Sequence, residues 1–217
     1  MAIESIVEQL VKEPLDVNCV HPDPIHQFHE WYTSALRAEV LQPDAMHLST
    51  VAVDGTPSGR LVIYKDPEQF GLNLTGFPFF TNYNSPKAKE MTENPSAAAT
   101  FYWIELGRQI RLEGTAEKVS EAISDGYFAQ RPEGSKLGAW ASPQSSIMES
   151  RGKLVEEVER YRRKFHGKAI SRPPSWGGFV IKPIRMEFWQ HRDDRLHDRV
   201  LYQLQGDQRW IIQQLAP

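Results

Sequence analysis

The densest run of reactive side chains is Trp189-Gln190-His191-Arg192-Asp193-Asp194-Arg195-Leu196-His197-Asp198-Arg199. In extended backbone Arg195, His197 and Arg199 would line one side, setting two permanent cations around a group that titrates near neutrality. The indole of Trp189 could stack on a planar ring or simply fill the core. Tyr127 and Arg131 are four apart near the end of a predicted helix and so share a face, with Ser135 following in the loop Arg131-Pro132-Glu133-Gly134-Ser135. A phenol, a guanidinium and a hydroxyl together suit a phosphate monoester. The same arginine could equally satisfy carbonyls at the helix end. In Thr81-Asn82-Tyr83-Asn84-Ser85-Pro86-Lys87 the serine is expected to cap a helix begun by Pro86. Backbone donors, a hydroxyl and Lys87 then converge as at an anion site, although caps also occur where nothing binds. Arg60 and Lys65 are five apart on a predicted strand, which sends them to opposite faces, toward two anions or toward solvent on an edge strand.

Other chemistries lack their motifs. No Gly-x-Gly-x-x-Gly or Gly-x-x-x-x-Gly-Lys loop is present, so a phosphorylated ligand would have to be held by side chains. The seven histidines form no His-Glu-x-x-His or similar cluster, and no metal is assigned. A Gly-x-Ser-x-Gly elbow is missing too. The single cysteine, Cys19, excludes an intramolecular disulfide framework and fits a reducing compartment.

The elements that must position these groups are mainly strands. Asp23 can cap a helix starting at Pro24, in which Ile25, Phe28, Trp31, Tyr32, Leu36 and Val40 recur at helical spacing. From Met46 the period becomes two, and Asp54-Gly55 marks a hairpin returning through Ser58 to Lys65. Further strands are expected at Phe77 to Asn82, Ala97 to Ile104 and Gln109 to Val119. Ser120 caps a helix to about Gln130, and a second helical stripe runs within Ser146 to Phe165. The chain returns to strands at Phe179 to Ile181, Arg185 to Gln190, Val200 to Leu204 and Trp210 to Leu215. Strands with few peripheral helices point to an antiparallel barrel and not to βαβ units. Residues 1–22 read as an N-terminal tail, weakly ordered or ordered against a partner, and residues 23–217 as one domain.

With 217 residues the chain can bury a sizeable core, and 40% apolar residues with six tryptophans exclude a disordered chain. Twenty-five basic against 28 acidic residues leave a net charge of −3, which argues against nucleic-acid binding by bulk positive charge. No apolar run reaches the roughly 20 residues of a membrane span. Met1 to Leu10 carries Glu4 and Glu8 and lacks the pattern of a signal peptide, so a cytoplasmic protein is expected.

From about Asp23 to Pro217 the chain resembles the pyridoxamine (pyridoxine) 5′-phosphate oxidases. The resemblance is carried by Arg60 to Lys65, Phe79-Phe80-Thr81-Asn82, Arg108-Gln109, Tyr127 to Ser135, Gly138-Ala139-Trp140-Ala141-Ser142, Gln144-Ser145, Trp176-Gly177-Gly178, Glu187-Phe188-Trp189-Gln190, Arg195 to Arg199 and Leu215-Ala216-Pro217. It implies a mainly β, antiparallel, Greek-key-like split β-barrel, forming a homodimer with FMN at sites shared between the subunits. By the same resemblance Arg60, Thr81 and Lys87 hold the FMN phosphate. Leu61, Val62, Phe80, Gln109, Gln144, Ser145, Trp189 and Arg199 contact the rest of the cofactor. Lys65, Tyr127, Arg131 and Ser135 hold the substrate phosphate, while Arg195 and His197 lie over the pyridine ring as the catalytic pair. The implied reaction oxidises pyridoxamine or pyridoxine 5′-phosphate to pyridoxal 5′-phosphate, with oxygen as acceptor and hydrogen peroxide as product. The rival readings are a phenazine-pathway flavin oxidase and a non-catalytic flavin or pyridoxal-phosphate carrier. Two departures stand out: Pro86 replaces an arginine usual in the family, and the stretch between Lys65 and Thr81 is long.

Overall fold

The structure, a computed structural model, describes residues 3–217. Its first helix, α1 (Ile3–Lys12), precedes α2 (Pro24–Arg37), and Asp23 caps α2 as its sequence predicts, its carboxylate accepting from the Ile25 N–H at 2.8 Å. The hairpin follows as β1 (Ala45–Val51) and β2 (Pro57–Ile63). A short helix α3 (Pro67–Phe70) leads to β3 (Phe77–Asn82), α4 (Pro86–Glu93), β4 (Ser96–Trp103) and β5 (Arg108–Lys118). Three helices come next, α5 (Glu121–Gln130), α6 (Glu133–Ala141) and α7 (Arg151–Lys164). The chain closes with β6 (Trp176–Gln190), β7 (Asp198–Leu204) and β8 (Trp210–Gln214).

Every strand pairing is antiparallel, in the order β2-β1-β4-β5-β6-β7-β8, with β3 added to β6. The sheet therefore forks at β6. Its first residues, Trp176–Ile181, pair with β3, and its last, Arg185–Gln190, pair with β7, while β5 runs alongside from Phe179 to Gln190. This is the split β-barrel. The sequence pattern suggested two strands here because Pro183 interrupts the run, yet the strand is continuous. A bulge opposite Glu113 and Gly114 absorbs the proline, and a Cβ on Gly114 would sit 2.0 Å from the Lys182 carbonyl.

One face of the sheet meets α2. Phe28, fully buried, packs edge-on against Tyr64 and Phe77 at 5.3 and 4.8 Å, and Trp31 lies edge-on to Phe188 at 5.3 Å. Inward residues Met46, Leu48, Ala99, Phe101, Ile110, Leu112 and Met186 complete this core. A smaller apolar cluster of Leu72, Tyr127, Phe128 and Trp176 sits under the long stretch between Lys65 and Thr81.

Three local expectations need correction. The described part of the N-terminal stretch is no free tail: Leu10 and Leu15 are buried in the main core, because the apolar side of α1 meets α2 and the turn Ile104–Leu106, contacts that no local pattern reveals. Ser135 lies in α6 and not in a loop; Leu137 and Ala141 are buried, and that packing overrides the turn-like Pro132-Glu133-Gly134. Ser85 stands at the cap position of α4, but its hydroxyl donates to the Asn82 carbonyl at 2.7 Å instead of capping the helix.

Candidate active site

The cations of the first half of the site are set by β2, β3 and α4. Arg60 and Lys65 do face opposite ways. Arg60 turns toward α4, where its guanidinium meets Glu90 at 3.4 Å and bonds the Thr50 and Ser58 hydroxyls. Lys65 lines a cleft of about 340 Å³ together with Leu61, Val62, Ile63, Phe80, Thr81, Lys87, Tyr127, Arg131, Gln144 and Trp176. Its ammonium is 3.5 Å from Asp44. Lys87 donates to Ser85 Oγ at 3.1 Å and to Gln144 Oε1 at 2.8 Å, and Thr81 donates to the same Gln144 oxygen at 3.1 Å. Burial, then the positive charge of Arg60, push the Lys87 amine down to about 8. Two cations crowded in this way, with one carboxylate between them, are arranged for an anion.

A recess of about 270 Å³ adjoins the cleft and shares Arg131, Gln144 and Trp176 with it; Ser135, in the first turn of α6, lines its far side. The Arg131 guanidinium lies 4.5 Å over the Trp176 ring, and its Nη1 is buried with no partner among the described residues. A buried donor without an acceptor is costly, so this atom calls for an anion from outside the chain. Burial also lowers the arginine's proton affinity and raises that of Tyr127. Beneath them Phe80 stacks on Tyr127 at 4.1 Å and on Trp176 at 5.4 Å. This slab and the neighbouring Tyr83 ring explain the paired glycines: a Cβ on Gly178 would fall 2.8 Å from Phe80, and one on Gly177 2.1 Å from the Tyr83 hydroxyl. Ser145 is exposed at φ 67°, next to Gln144.

The second half lies on β5, β6 and β7. Gln109 stands opposite Trp189 across the sheet, and the Trp189 and His197 rings are 4.6 Å apart. Arg199 donates to Glu187 at 2.9 Å and to the Ala216 carbonyl at 2.9 Å, so the chain ending folds onto β7. Arg195 departs from the extended backbone expected of it. It closes a tight turn, Asp193–Arg195, in which Asp194 and Arg195 have φ 55° and 61°. Only His197 and Arg199 keep the alternation expected of an extended run, because β7 begins at Asp198.

One chain does not bring its two halves together. Leu61 of β2 shares a sheet face with His47, Thr100 and Arg111, and Trp189 of β6 is two residues beyond Glu187 in the same row. Crossing from β2 to β6 covers about 20 Å at roughly 4.8 Å per strand. Gln109, Trp189, Arg195, His197 and Arg199 line neither the cleft nor the recess. Leu61, meanwhile, is 70% exposed on an edge strand.

Residue patterns did not single out Glu90, Glu187 or Trp176 as site members. Glu90 follows Lys87 by three on α4, a helical spacing that could have flagged it. Glu187, 5% exposed between Arg111 and Arg199, becomes visible only through strand register. Among the described residues no cluster of potential metal ligands occurs, and no helix is long and apolar enough to cross a membrane.

Known proteins are similar to this chain in sequence and fold. Residues 32–165 match the family model described as pyridoxamine 5′-phosphate oxidase, and residues 176–217 match the pyridoxine 5′-phosphate oxidase C-terminal dimerisation region. The chain is 48% identical over 216 residues to pyridoxine/pyridoxamine 5′-phosphate oxidase 1 of Ralstonia nicotianae, covering 100% of this chain and 99% of that one. It is 51% identical over 185 residues to the oxidase of Rubrobacter xylanophilus, covering 85% and 83%. Among solved structures, PhzG from Burkholderia lata, in complex with tetrahydrophenazine-1-carboxylic acid, superposes with a TM-score of 0.85 at 30% identity, covering 94% of this chain and 98% of that one.

Proposed function

This chain belongs to the pyridoxamine 5′-phosphate oxidase family and is an oxidoreductase, and from that premise we propose that it oxidises the 4′ carbon of pyridoxamine or pyridoxine 5′-phosphate to the aldehyde, using FMN. The observation that carries the substrate assignment is the Nη1 of Arg131, without a partner among the described residues, where the cleft lined by Tyr127 meets the recess lined by Ser135. The first turn of α6 adds backbone donors and the positive end of its dipole on the same side. Lys65, at the cleft wall, supplies a further cation.

The donor set also fits a flavin nucleotide. Lys87 and Arg60, crowded against each other, are relieved by a phosphate; Thr81 and Gln144 offer hydroxyl and amide partners, and Leu61 and Val62 an apolar edge. When bound, FMN supplies a two-electron acceptor for the hydride, with oxygen as terminal acceptor and hydrogen peroxide as its product. The protein's part is positional. Arg131, Tyr127 and Ser135 anchor the substrate phosphate, so that the ring is presented in one orientation. Arg195 and His197 then approach the pyridine ring from a second copy of the chain, since about 20 Å separates the halves within one copy. Trp189 and Gln109 come with them and close the cofactor site; the homodimer is in this reading a condition of catalysis.

Oxygen uptake and aldehyde formation with pyridoxine 5′-phosphate, compared with unphosphorylated pyridoxine, test the proposal. The phosphorylated alcohol should be preferred by about a hundredfold or more in kcat/KM, a loss typical of unpairing buried charged donors. Turnover of a tricyclic acid without phosphate, in preference to both, would favour the phenazine-type reading. A yellow protein that consumes no oxygen with either vitamer would be a carrier.

A further inference from the structure

Two arginines grip the N-terminal segment where α1 ends. The last carbonyls of a helix have no partner within it. Here Arg108, 1% exposed, donates to the Leu10 carbonyl at 3.1 Å and to the Glu13 carboxylate at 2.8 Å. Arg192 donates through Nη1 to the Val11 carbonyl and through Nη2 to that of Glu13. The third arm of Arg192, its Nε, donates to Asp198 at 2.7 Å. One side chain thus ties the end of α1 to the start of β7.

Between those anchor points runs the turn that carries Arg195 and His197. Asp194 and Arg195 are consecutive non-glycine residues at φ 55° and 61°, a left-handed conformation that persists only where surrounding contacts over-determine it. The backbone N–H of Arg192 donates to His197 Nδ1 at 3.1 Å. With Nδ1 accepting, the neutral ring carries its proton on Nε2, away from the turn. Because this bond comes from the backbone, the Arg192 side chain acts on it only by holding the shape of residues 192–198.

We propose that Arg192 is a positioning residue for His197: by joining the carbonyls of Val11 and Glu13 to Asp198, it keeps the turn in the form that orients the imidazole and fixes its tautomer. The inference rests on the proposed placement of His197 over the substrate, and the N-terminal segment becomes part of the site's support.

Arg192→Ala in the full-length, flavin-loaded protein tests it with two readouts. The ring ¹⁵N signals of His197 should move from a fixed Nε2–H pattern toward averaged tautomers. The kcat/KM should fall roughly tenfold or more, with flavin content and dimer retained. Arg192→Lys, whose ammonium cannot span three acceptors, should lie between the two, and it serves as the test if the alanine variant does not fold. An unchanged ¹⁵N pattern in the folded variant overturns the proposal, whether or not activity falls. His197→Asn separates the two levels of the argument: full activity in that variant would sink the role given to His197, while the ¹⁵N pattern of Arg192→Ala would still report whether Arg192 holds the ring.

Discussion

Lys87 shows how a fold prepares a charge for a ligand. Its amine, half-buried beside Arg60, is held near 8, so the free protein has lost about half of this proton by about pH 8. A bound phosphate stabilises the ammonium and raises that value again. In the proposed site FMN binding therefore takes up a proton in this range: affinity should be flat below about pH 7, bend around pH 8 and then fall by up to about tenfold per pH unit until the value in the complex is reached. Flavin fluorescence titrations from pH 6.5 to 9.5 check this, and Lys87→Ala should both weaken binding and flatten the profile. Pro86 contributes a helix start and no cation, so position 86 adds no third positive side chain beside Lys87 and Arg60. For Arg131 the proposed partner is the substrate. Arg131→Ala should raise KM for pyridoxine 5′-phosphate about ten- to a hundredfold, equivalent to about 1.5–3 kcal/mol, and leave flavin content near that of the parent. Loss of flavin with an unaltered KM would reassign the recess. Both residues stood out in the sequence by type and spacing. Their surroundings stood out less: Glu90 follows Lys87 by one helical turn yet pairs with Arg60, and the Trp176 ring reaches Arg131 through a tertiary contact with no fixed sequence offset.

The elements differ in how openly the chain announces them. Asp23-Pro24 and Ser120 are local signals, and the helices they start lie where the pattern puts them. For α6 the pattern is misleading, because Pro132 and Gly134 favour a turn, and burial of Leu137 decides otherwise. The paired glycines of β6 are a further case. They look like breakers of a helix, yet they sit in a strand to admit two aromatic rings. Gly178→Ala should cost about 1–3 kcal/mol, since the new methyl meets Phe80 and Val119 at under 3 Å. In a chain of this size each kcal/mol lowers the melting temperature by about 2–4 °C. Thermal unfolding of the variant checks this, and an unchanged midpoint would mean that Phe80 swings off the slab freely.

Assembly carries the clearest consequence of the two separated halves. If each site takes Arg131 from one copy and His197 from the other, Arg131→Ala and His197→Ala homodimers are both impaired. Unfolding and refolding an equal mixture yields about half heterodimers, each with one intact site, so about a quarter of parental activity should return. A site built within one chain would give no recovery beyond the sum of the two variants. The apolar edge at Leu61 and the Arg111–Glu187–Arg199 network, of which only Glu187 is buried, sit on the same outer face, which is where a self-complementary interface would place them.

Composition, period and spacing were enough to identify a mainly antiparallel β chain, to locate most strands within a residue or two, and to offer cationic clusters as candidates for a site, because those signals are local. Periods of two and 3.6 and a capping aspartate need no knowledge of distant chain. Three features had to wait for the tertiary structure: the salt link of Arg60 to Glu90, the docking of α1 under Arg108 and Arg192, and the gap between Leu61 and Trp189. Each depends on strand register or on contacts between residues far apart in the chain. Such pairings are decided by the packing of the whole sheet, and a linear pattern does not encode them.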